Sequence, residues 1–134
     1  MTDIPATNLT MMSEIKDSGT LEISLARLPM PEPKPHEVLV KVLATPINPS
    51  DLGLLVGAGD VKQAVAGTRD GLPLVTAPVG AAGIRAMAGR LNEAMPIGNE
   101  GCGVVVAAGS NPEAQALMAK TVALLGGAMY AEYR

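Results

Sequence analysis

The sequence predicts a mainly β domain with short helices (α+β), arranged as a partly open β-barrel. Fifteen Gly and eleven Pro among 134 residues imply frequent turns, which favours strands over a helix bundle. The chain has no Phe and no Trp, so its core must consist of aliphatic side chains and Met. Short segments of alternating apolar and polar residues recur between the turn signals, as expected for many short strands.

In the first half of the chain, residues 9–15 and 20–28 are predicted strands joined by a turn at 16–19. Residues 29–36 alternate Pro with other residues. They could form a Pro-rich recognition peptide, but a rigid surface connector is the better interpretation. Residues 37–44 form the clearest strand. Asn48-Pro49-Ser50-Asp51 then predicts a helix start, with Asn48 as N-cap and Asp51 completing a capping box, and the helix ends near Gly57.

Residues 60–95 have the least regular pattern, but about 35 residues is long for a plain loop. A turn at 69–72 and a helix over 84–91 are predicted within them. Beyond this segment we expect a buried strand over 101–108, a helix that starts at Asn111-Pro112 and covers 114–119, and strands over 121–125 and 128–133. Because the chain stops inside a strand pattern, we expect either a longer natural polypeptide or a partner strand elsewhere.

Composition excludes several classes of function. The net charge is −3 with a pI near 5.0, and there is no basic run, so nucleic acid is not an expected partner. No apolar stretch approaches the roughly 20 residues needed to cross a bilayer. Residues 1–9 lack the apolar core of a secretory signal. A single Cys cannot form an internal disulfide, and we therefore expect a cytoplasmic protein without a membrane partner.

No zinc site is predicted, because Cys102 and His36 are the only Cys and His and lie far apart in sequence. A carboxylate-rich magnesium site stays open in principle, but no acidic cluster indicates one, so no metal site is predicted. Cys102 could be a nucleophile, but a small buried apolar residue is the commoner role. His36 is expected to be a solvated loop residue. The Gly-rich segments 98–103 and 80–83 do not have the spacing G-x-G-x-x-G, so turns and close backbone packing explain them.

Asn48 and Asp51 are the candidate site from spacing alone. A helix N-terminus offers free N–H groups to an anion or a carbonyl, and the two side chains can hold an amide of a substrate or cofactor. A pure helix cap explains the pair equally well. Glu100, between glycines, is either exposed or needs a buried partner.

Four blocks, given by residues 37–42, 48–51, 98–105 and 126–133, resemble the medium-chain dehydrogenase/reductase superfamily. They are most similar to its zinc-independent quinone oxidoreductase branch, which includes zeta-crystallin. The blocks span nearly the whole chain except residues 60–95. The resemblance implies that residues 1–134 form a GroES-like catalytic, substrate-side domain with an insertion at about 60–95. This barrel would be incomplete without the remainder of the enzyme, whose Rossmann cofactor domain is absent from these residues.

The resemblance also implies particular site residues. Zinc-dependent members carry a Cys where Asn48 falls and a His where Asn99 falls, so no catalytic zinc is expected. Asn48 and Asp51 correspond to the pair beside the nicotinamide ring and are the implied catalytic residues, with Asn48 and Tyr130 contacting the cofactor. Gly53 stands where the branch often has a Tyr, so that substrate contact is not expected.

By this resemblance the reaction is hydride transfer from NADPH or NADH to a quinone or an activated enone. We expect the chain to be a fragment of a homo-oligomeric oxidoreductase and to be inactive alone, with residues 60–95 covering the substrate cleft. The last predicted strand should leave an apolar face or an edge exposed, which invites self-association. The alternative is a stand-alone GroES-like binding or oligomerisation module without catalysis.

Overall fold

The computed structural model describes residues 3–134, which form two antiparallel sheets connected by short helices. One sheet has the strand order β4-β5-β2-β1-β6 and the other has the order β3-β7-β8. Neither sheet closes on itself, and the predicted class, mainly β with short helices, is confirmed. The strands are β1 Thr7–Lys16, β2 Thr20–Pro29, β3 Val38–Ala44, β4 Val65–Arg69, β5 Leu72–Pro78, β6 Met95–Pro96, β7 Glu100–Ala108 and β8 Thr121–Leu125.

The helices are short, and α1 and α3 begin where local sequence predicts. They are α1 Pro49–Leu55, α2 Ala81–Ala86 and α3 Pro112–Gln115, with 3-10 turns at Val61–Gln63 and Ala88–Arg90. Asn48 and Asn111 are the N-caps of α1 and α3, and Pro follows each of them. The predicted helix over 114–119 is wrong in length, since α3 ends at Gln115. No helix within residues 3–134 is long and apolar enough to span a membrane.

Turn residues define the two hairpins. Gly19 has a φ of 95° between β1 and β2, a conformation that costs Gly little. Asp70 and Gly71 both have positive φ, 52° and 76°, which is the backbone of a type I′ turn between β4 and β5. The predicted turns at 16–19 and 69–72 are therefore confirmed. Beside the second hairpin, a hydrogen bond to Glu22 at 2.8 Å raises the pKa of Arg69.

Residues 60–95 have regular structure, as expected from their length. They contain β4, β5, α2, both 3-10 turns and the start of β6. The predicted helix over 84–91 is misplaced, because α2 begins at Ala81 and ends at Ala86. A Cβ on Gly83 would lie 2.7 Å from the Ala58 Cβ and 2.9 Å from Val79 Cγ1. Close helix packing at a glycine, which apolar periodicity does not report, fixes the position of α2.

Contacts divide the chain into two compact units. The first unit comprises Met1–Thr10, Arg27–Pro46 and Gly98–Arg134, and the second comprises Met11–Ala26 and Ile47–Ile97. The core of the second unit contains Ile15, Leu21, Ala77 and Val79, with partly buried side chains from α2 and from the segment after α1 packed on it. Buried hydrophobic side chains of the first unit are Leu39, Val40, Val105, Ala114, Met129 and Tyr133.

The predicted strand over 128–133 is wrong. Its residues form only isolated bridges, Thr10 with Ala131 and Lys41 with Tyr133. The segment bonds to two strands at once. The Glu132 N–H donates to Leu9 O in β1 and Glu132 O accepts from the Val42 N–H in β3, while Arg134 exchanges two backbone bonds with Val40 in β3, at 2.7 and 2.9 Å. We call residues 129–134 the terminal segment.

The terminal segment does not present the exposed edge that we expected there. Met129 and Tyr133 are buried, and backbone groups of the segment are bonded to both β1 and β3. In the sheet β3-β7-β8 an edge strand is instead β8, whose Leu125 is 88% exposed. Self-association through an exposed edge therefore stays a prediction, and the edge that would mediate it is β8.

Asn8 ties the terminal segment to β1 with a side chain in place of a strand ladder. Its Nδ2 donates to Tyr133 O at 2.8 Å, and the Tyr133 N–H donates to its Oδ1 at 3.0 Å. Asn8 is only 6% exposed, so loss of its amide would leave a backbone donor and acceptor buried without partners. The amide offers one donor and one acceptor on two different atoms, which matches the Tyr133 carbonyl and N–H.

We predict that Asn8→Ala lowers the free energy of unfolding by about 2 kcal/mol, because two buried backbone groups lose their partners. Urea unfolding of both proteins measures the difference. Asn111→Ala is the matched control, since the Asn111 side chain makes no capping hydrogen bond. Equal losses in the two variants would show that the Asn8 bonds contribute nothing specific.

Asn8→Asp makes the same interaction depend on pH. A carboxylate there can accept from the Tyr133 N–H but faces the Tyr133 carbonyl oxygen without a proton to donate. Folding therefore favours the protonated acid, and its pKa is raised in the folded state. The deficit relative to Asn8 should be largest at neutral pH and should shrink as the pH falls through that raised pKa. A deficit that grows on acidification would contradict this.

Candidate functional site

The N-terminus of α1 places Asn48 and Asp51 together. Asn48 is the N-cap in an extended conformation, Pro49 occupies the first helical position, and Asp51 occupies the third. The Asn48 N–H donates to Asp51 Oδ2 at 2.8 Å, and the Asp51 N–H donates back to Asn48 O at 3.0 Å. The predicted capping box is confirmed.

Asp51 is fully buried, although the other residues of α1 are exposed or half-buried. Its Oδ2 is used by the cap, and within residues 3–134 its Oδ1 has no hydrogen-bond partner. The structure therefore places Asp51 beneath the helix start, where it supports Asn48. The half-buried Asn48 is the member of the pair that can meet a ligand.

Tyr130 lies in the first unit, whereas Asn48 and Asp51 lie in the second. The Tyr130 hydroxyl donates to Pro46 O at 3.2 Å. Gly98 has a φ of 102°, and a Cβ there would lie 2.7 Å from the Tyr130 backbone N and 2.8 Å from its Cδ1. Gly98 thus makes room for Tyr130, so this glycine serves packing.

The other glycines of this block also lie against the protein's own atoms. A Cβ on Gly101 would lie 3.1 Å from Ala44 O, and one on Gly103 would collide with Lys41 O across the β3–β7 ladder. These glycines permit close strand packing and do not line a cradle for phosphate. Residues 98–103 therefore do not fit the phosphates of a dinucleotide.

Cys102 and His36 are not brought together. Cys102 is half-buried on β7 and lines a cavity of about 300 Å³ with Glu100 and Thr45. His36 is exposed, as predicted, and lines another cavity of about 400 Å³ with Arg134. A Cys–His nucleophilic pair is therefore not formed. Among residues 3–134, no group of three His, Cys, Asp or Glu side chains is placed to hold a metal ion.

Comparison with known proteins gives a structural likeness. No family model matches the chain, and no curated protein matches it. The chain is similar to a solved structure from Mesorhizobium loti, provisionally described as an NADPH:quinone reductase, with a TM-score of 0.58 and 25% sequence identity. The similarity covers 98% of this chain and 35% of the other, so the chain spans about a third of that protein's length. This supports the coarse form of the resemblance, a likeness to part of a reductase.

Sequence reasoning missed Ser13 and Arg90, which lie at the opposite end of α1 from Asn48. Ser13 is completely buried on β1, and Arg90 ends the second 3-10 turn. Neither belongs to a motif. A polar residue within the alternating pattern of β1 was the available signal for Ser13, and nothing in the sequence pairs Arg90 with α1.

We predict that Asp51→Ala lowers the free energy of unfolding by about 1 kcal/mol, because the Asn48 N–H loses its acceptor. Urea unfolding measures the loss, and the circular dichroism of the folded variant reports any fraying of α1.

Asp60→Ala is the matched control. Asp60 accepts from the Lys62 N–H at 3.1 Å at the start of a 3-10 turn, but it is exposed, so its loss should stay within about 0.5 kcal/mol. If Asp51→Ala and Asp60→Ala lower the free energy of unfolding by the same small amount, burial of the Asp51 cap adds nothing to stability.

Proposed function

We propose that this chain is the substrate-side, GroES-like part of a zinc-free, NAD(P)H-dependent oxidoreductase that transfers hydride to a quinone or an activated enone. The single observation that carries the proposal is the Asn48–Asp51 pair at the start of α1, where the resemblance expects the nicotinamide-side pair. The likeness to the Mesorhizobium loti protein supports it. In this proposal the protein is a cytoplasmic homo-oligomer.

Asn48 and Asp51 have different tasks in this proposal. Asp51 is enclosed and bonded to the Asn48 backbone, so it orients Asn48. Asn48 has a side-chain amide that both donates and accepts, which suits the carbonyl of a quinone or the carboxamide of a nicotinamide. A neutral donor here would polarise the acceptor oxygen, the task that zinc performs in the zinc-dependent members.

The nicotinamide cofactor, NADPH or NADH, would supply the hydride when bound. The glycines of residues 98–103 face the chain's own backbone, so binding of the dinucleotide phosphates is assigned to a cofactor domain outside these residues. Tyr130 is retained as a proposed cofactor contact. Its anchor on Pro46 holds it in place within the first unit.

The alternative is a stand-alone binding or oligomerisation module. The exposed edge strand β8, with Leu125 almost fully exposed, favours it, because an unpaired edge can accept another strand. Gene sequence downstream of Arg134 separates the two: a strand followed by a phosphate-binding glycine motif favours the oxidoreductase, and a stop codon favours the module.

We predict that the chain binds a quinone without turning it over. Duroquinone is the suitable probe, because its four methyl groups block addition of the Cys102 thiol to the ring. Titration into the ¹⁵N-labelled chain should shift the resonances of Asn48 and its neighbours. NADPH with duroquinone should be oxidised at the background rate, since residues 98–103 form no phosphate cradle.

Asn48→Ala should weaken duroquinone binding by roughly fivefold, the loss of one hydrogen bond. Asn111→Ala changes another helix N-cap in the same way and should leave binding unaltered. Shifts that appear elsewhere, or equal affinity in the Asn48 variant, would overturn the proposed site. Robust turnover by the chain alone would overturn the assignment of cofactor binding to a further domain.

A further inference from the structure

The C-terminal end of α1 is held by two side chains from elsewhere in the second unit. Arg90 Nη1 donates to Leu54 O at 2.9 Å, and Ser13 Oγ donates to Leu55 O at 2.8 Å. Arg90 Nη2 also donates to Ser13 Oγ at 3.2 Å, so the two side chains form one connected group. We call Arg90 and Ser13 the α1 clamp.

The chemistry of the clamp suits a helix end. The last carbonyls of a helix have no partner inside the helix, and a cation near them is favoured by the helix dipole. The last turn of α1 contains no basic residue of its own. The planar fork of Arg90 holds both a carbonyl and the Ser13 hydroxyl in a fixed geometry, whereas a Lys would offer one ammonium on a flexible stem.

The residues around the clamp restrict its movement. Ser13 is completely buried on β1 and is registered with Met95 of β6. The chain just after Arg90 is also tied to β1, because the Asn92 N–H donates to Ile15 O at 2.8 Å. A Cβ on Gly57, just beyond α1, would lie 3.1 Å from Ile15 Cδ1. The end of α1 is therefore fixed against β1 and the segment that carries Arg90.

Fixing one end of α1 also fixes the other. A helix of seven residues is about 10 Å long and moves as a rigid body. At its N-terminus, the buried Asp51 must keep its 2.8 Å bond to the Asn48 N–H. A slide or tilt of α1 would shift this pair against the rest of the second unit.

We propose that Arg90 and Ser13 are positioning residues that set the orientation of Asn48 through α1. This inference rests on the proposed function, because the orientation of Asn48 matters only if Asn48 contacts a ligand. It also gives residues 60–95, which carry Arg90, a role in supporting the site, in addition to the predicted role of covering it.

Amide hydrogen exchange in the ¹⁵N-labelled chain tests the clamp without any ligand. The amides of Asn48 and Asp51 are hydrogen-bonded at the start of α1. In Arg90→Met these two amides should exchange about tenfold faster, because the helix loses hydrogen bonds from a charged donor. Amides of the first unit, such as those of Val40 and Arg134, should keep their rates. Arg85→Met is the matched control, since Arg85 is an exposed residue of α2.

Two further variants keep the test decisive if Arg90→Met does not fold. Arg90→Lys retains a charge near Leu54 O and should restore part of the protection. Ser13→Ala should raise the same exchange rates. Added to Arg90→Lys, it should have a smaller effect than it has alone, because the two side chains share a bond. Fully additive effects would show that they do not act as one group.

Faster exchange confined to the last turn of α1 would reduce the clamp to a local cap and overturn the inference. Equal acceleration in both units would show a general loss of stability and would overturn it too. The duroquinone shift at Asn48 should fall in Arg90→Met and return in Arg90→Lys. Hydrogen exchange is measured without quinone, so the two proposals are tested separately. Unchanged exchange rates in Arg90→Met would contradict the clamp without contradicting quinone binding. Failure of the chain to bind duroquinone would contradict the proposed function without affecting the exchange result.

Discussion

Two hydrogen bonds between the Asn8 side chain and the Tyr133 backbone join the terminal segment to β1 within the first unit. A single amide supplies one donor and one acceptor, which is what an adjacent strand would offer Tyr133. Next to it, Glu132 bonds to Leu9 in β1 and to Val42 in β3, and Arg134 bonds to Val40 in β3. The burial of Met129 and the reach of Tyr130 to Pro46 follow from the path of the backbone that these bonds define.

Local chemistry explains which elements could be predicted from the sequence. The type I′ turn at Asp70-Gly71 needs two residues that tolerate positive φ, and the caps of α1 and α3 need Asn followed by Pro. Each of these signals is contained in four residues, so no knowledge of distant packing is required. The hairpin of β1 and β2 follows in the same way from alternation on both sides of a Gly turn.

The errors arise where distant contacts decide the structure. Residues 128–133 alternate as a strand does, but Ala128 has a φ of 65°, and the terminal segment makes isolated bridges to both β1 and β3 instead of a continuous ladder with one of them. Alternation predicts an extended backbone and does not show whether one partner strand is available throughout. The position of α2 depends likewise on how closely Gly83 approaches Ala58.

For the site, spacing predicted the Asn48–Asp51 cap but could not predict its burial. A capping box requires only an acceptor at the third position, and that acceptor is normally exposed to water. Here Asp51 is completely enclosed, and within residues 3–134 its Oδ1 has no donor, which makes the cap costlier than its task requires. The α1 clamp holds the other end of the helix. A short helix that buried polar groups fix at both ends can move less than a helix that is only capped. Such restraint suits a helix that presents Asn48 to a ligand.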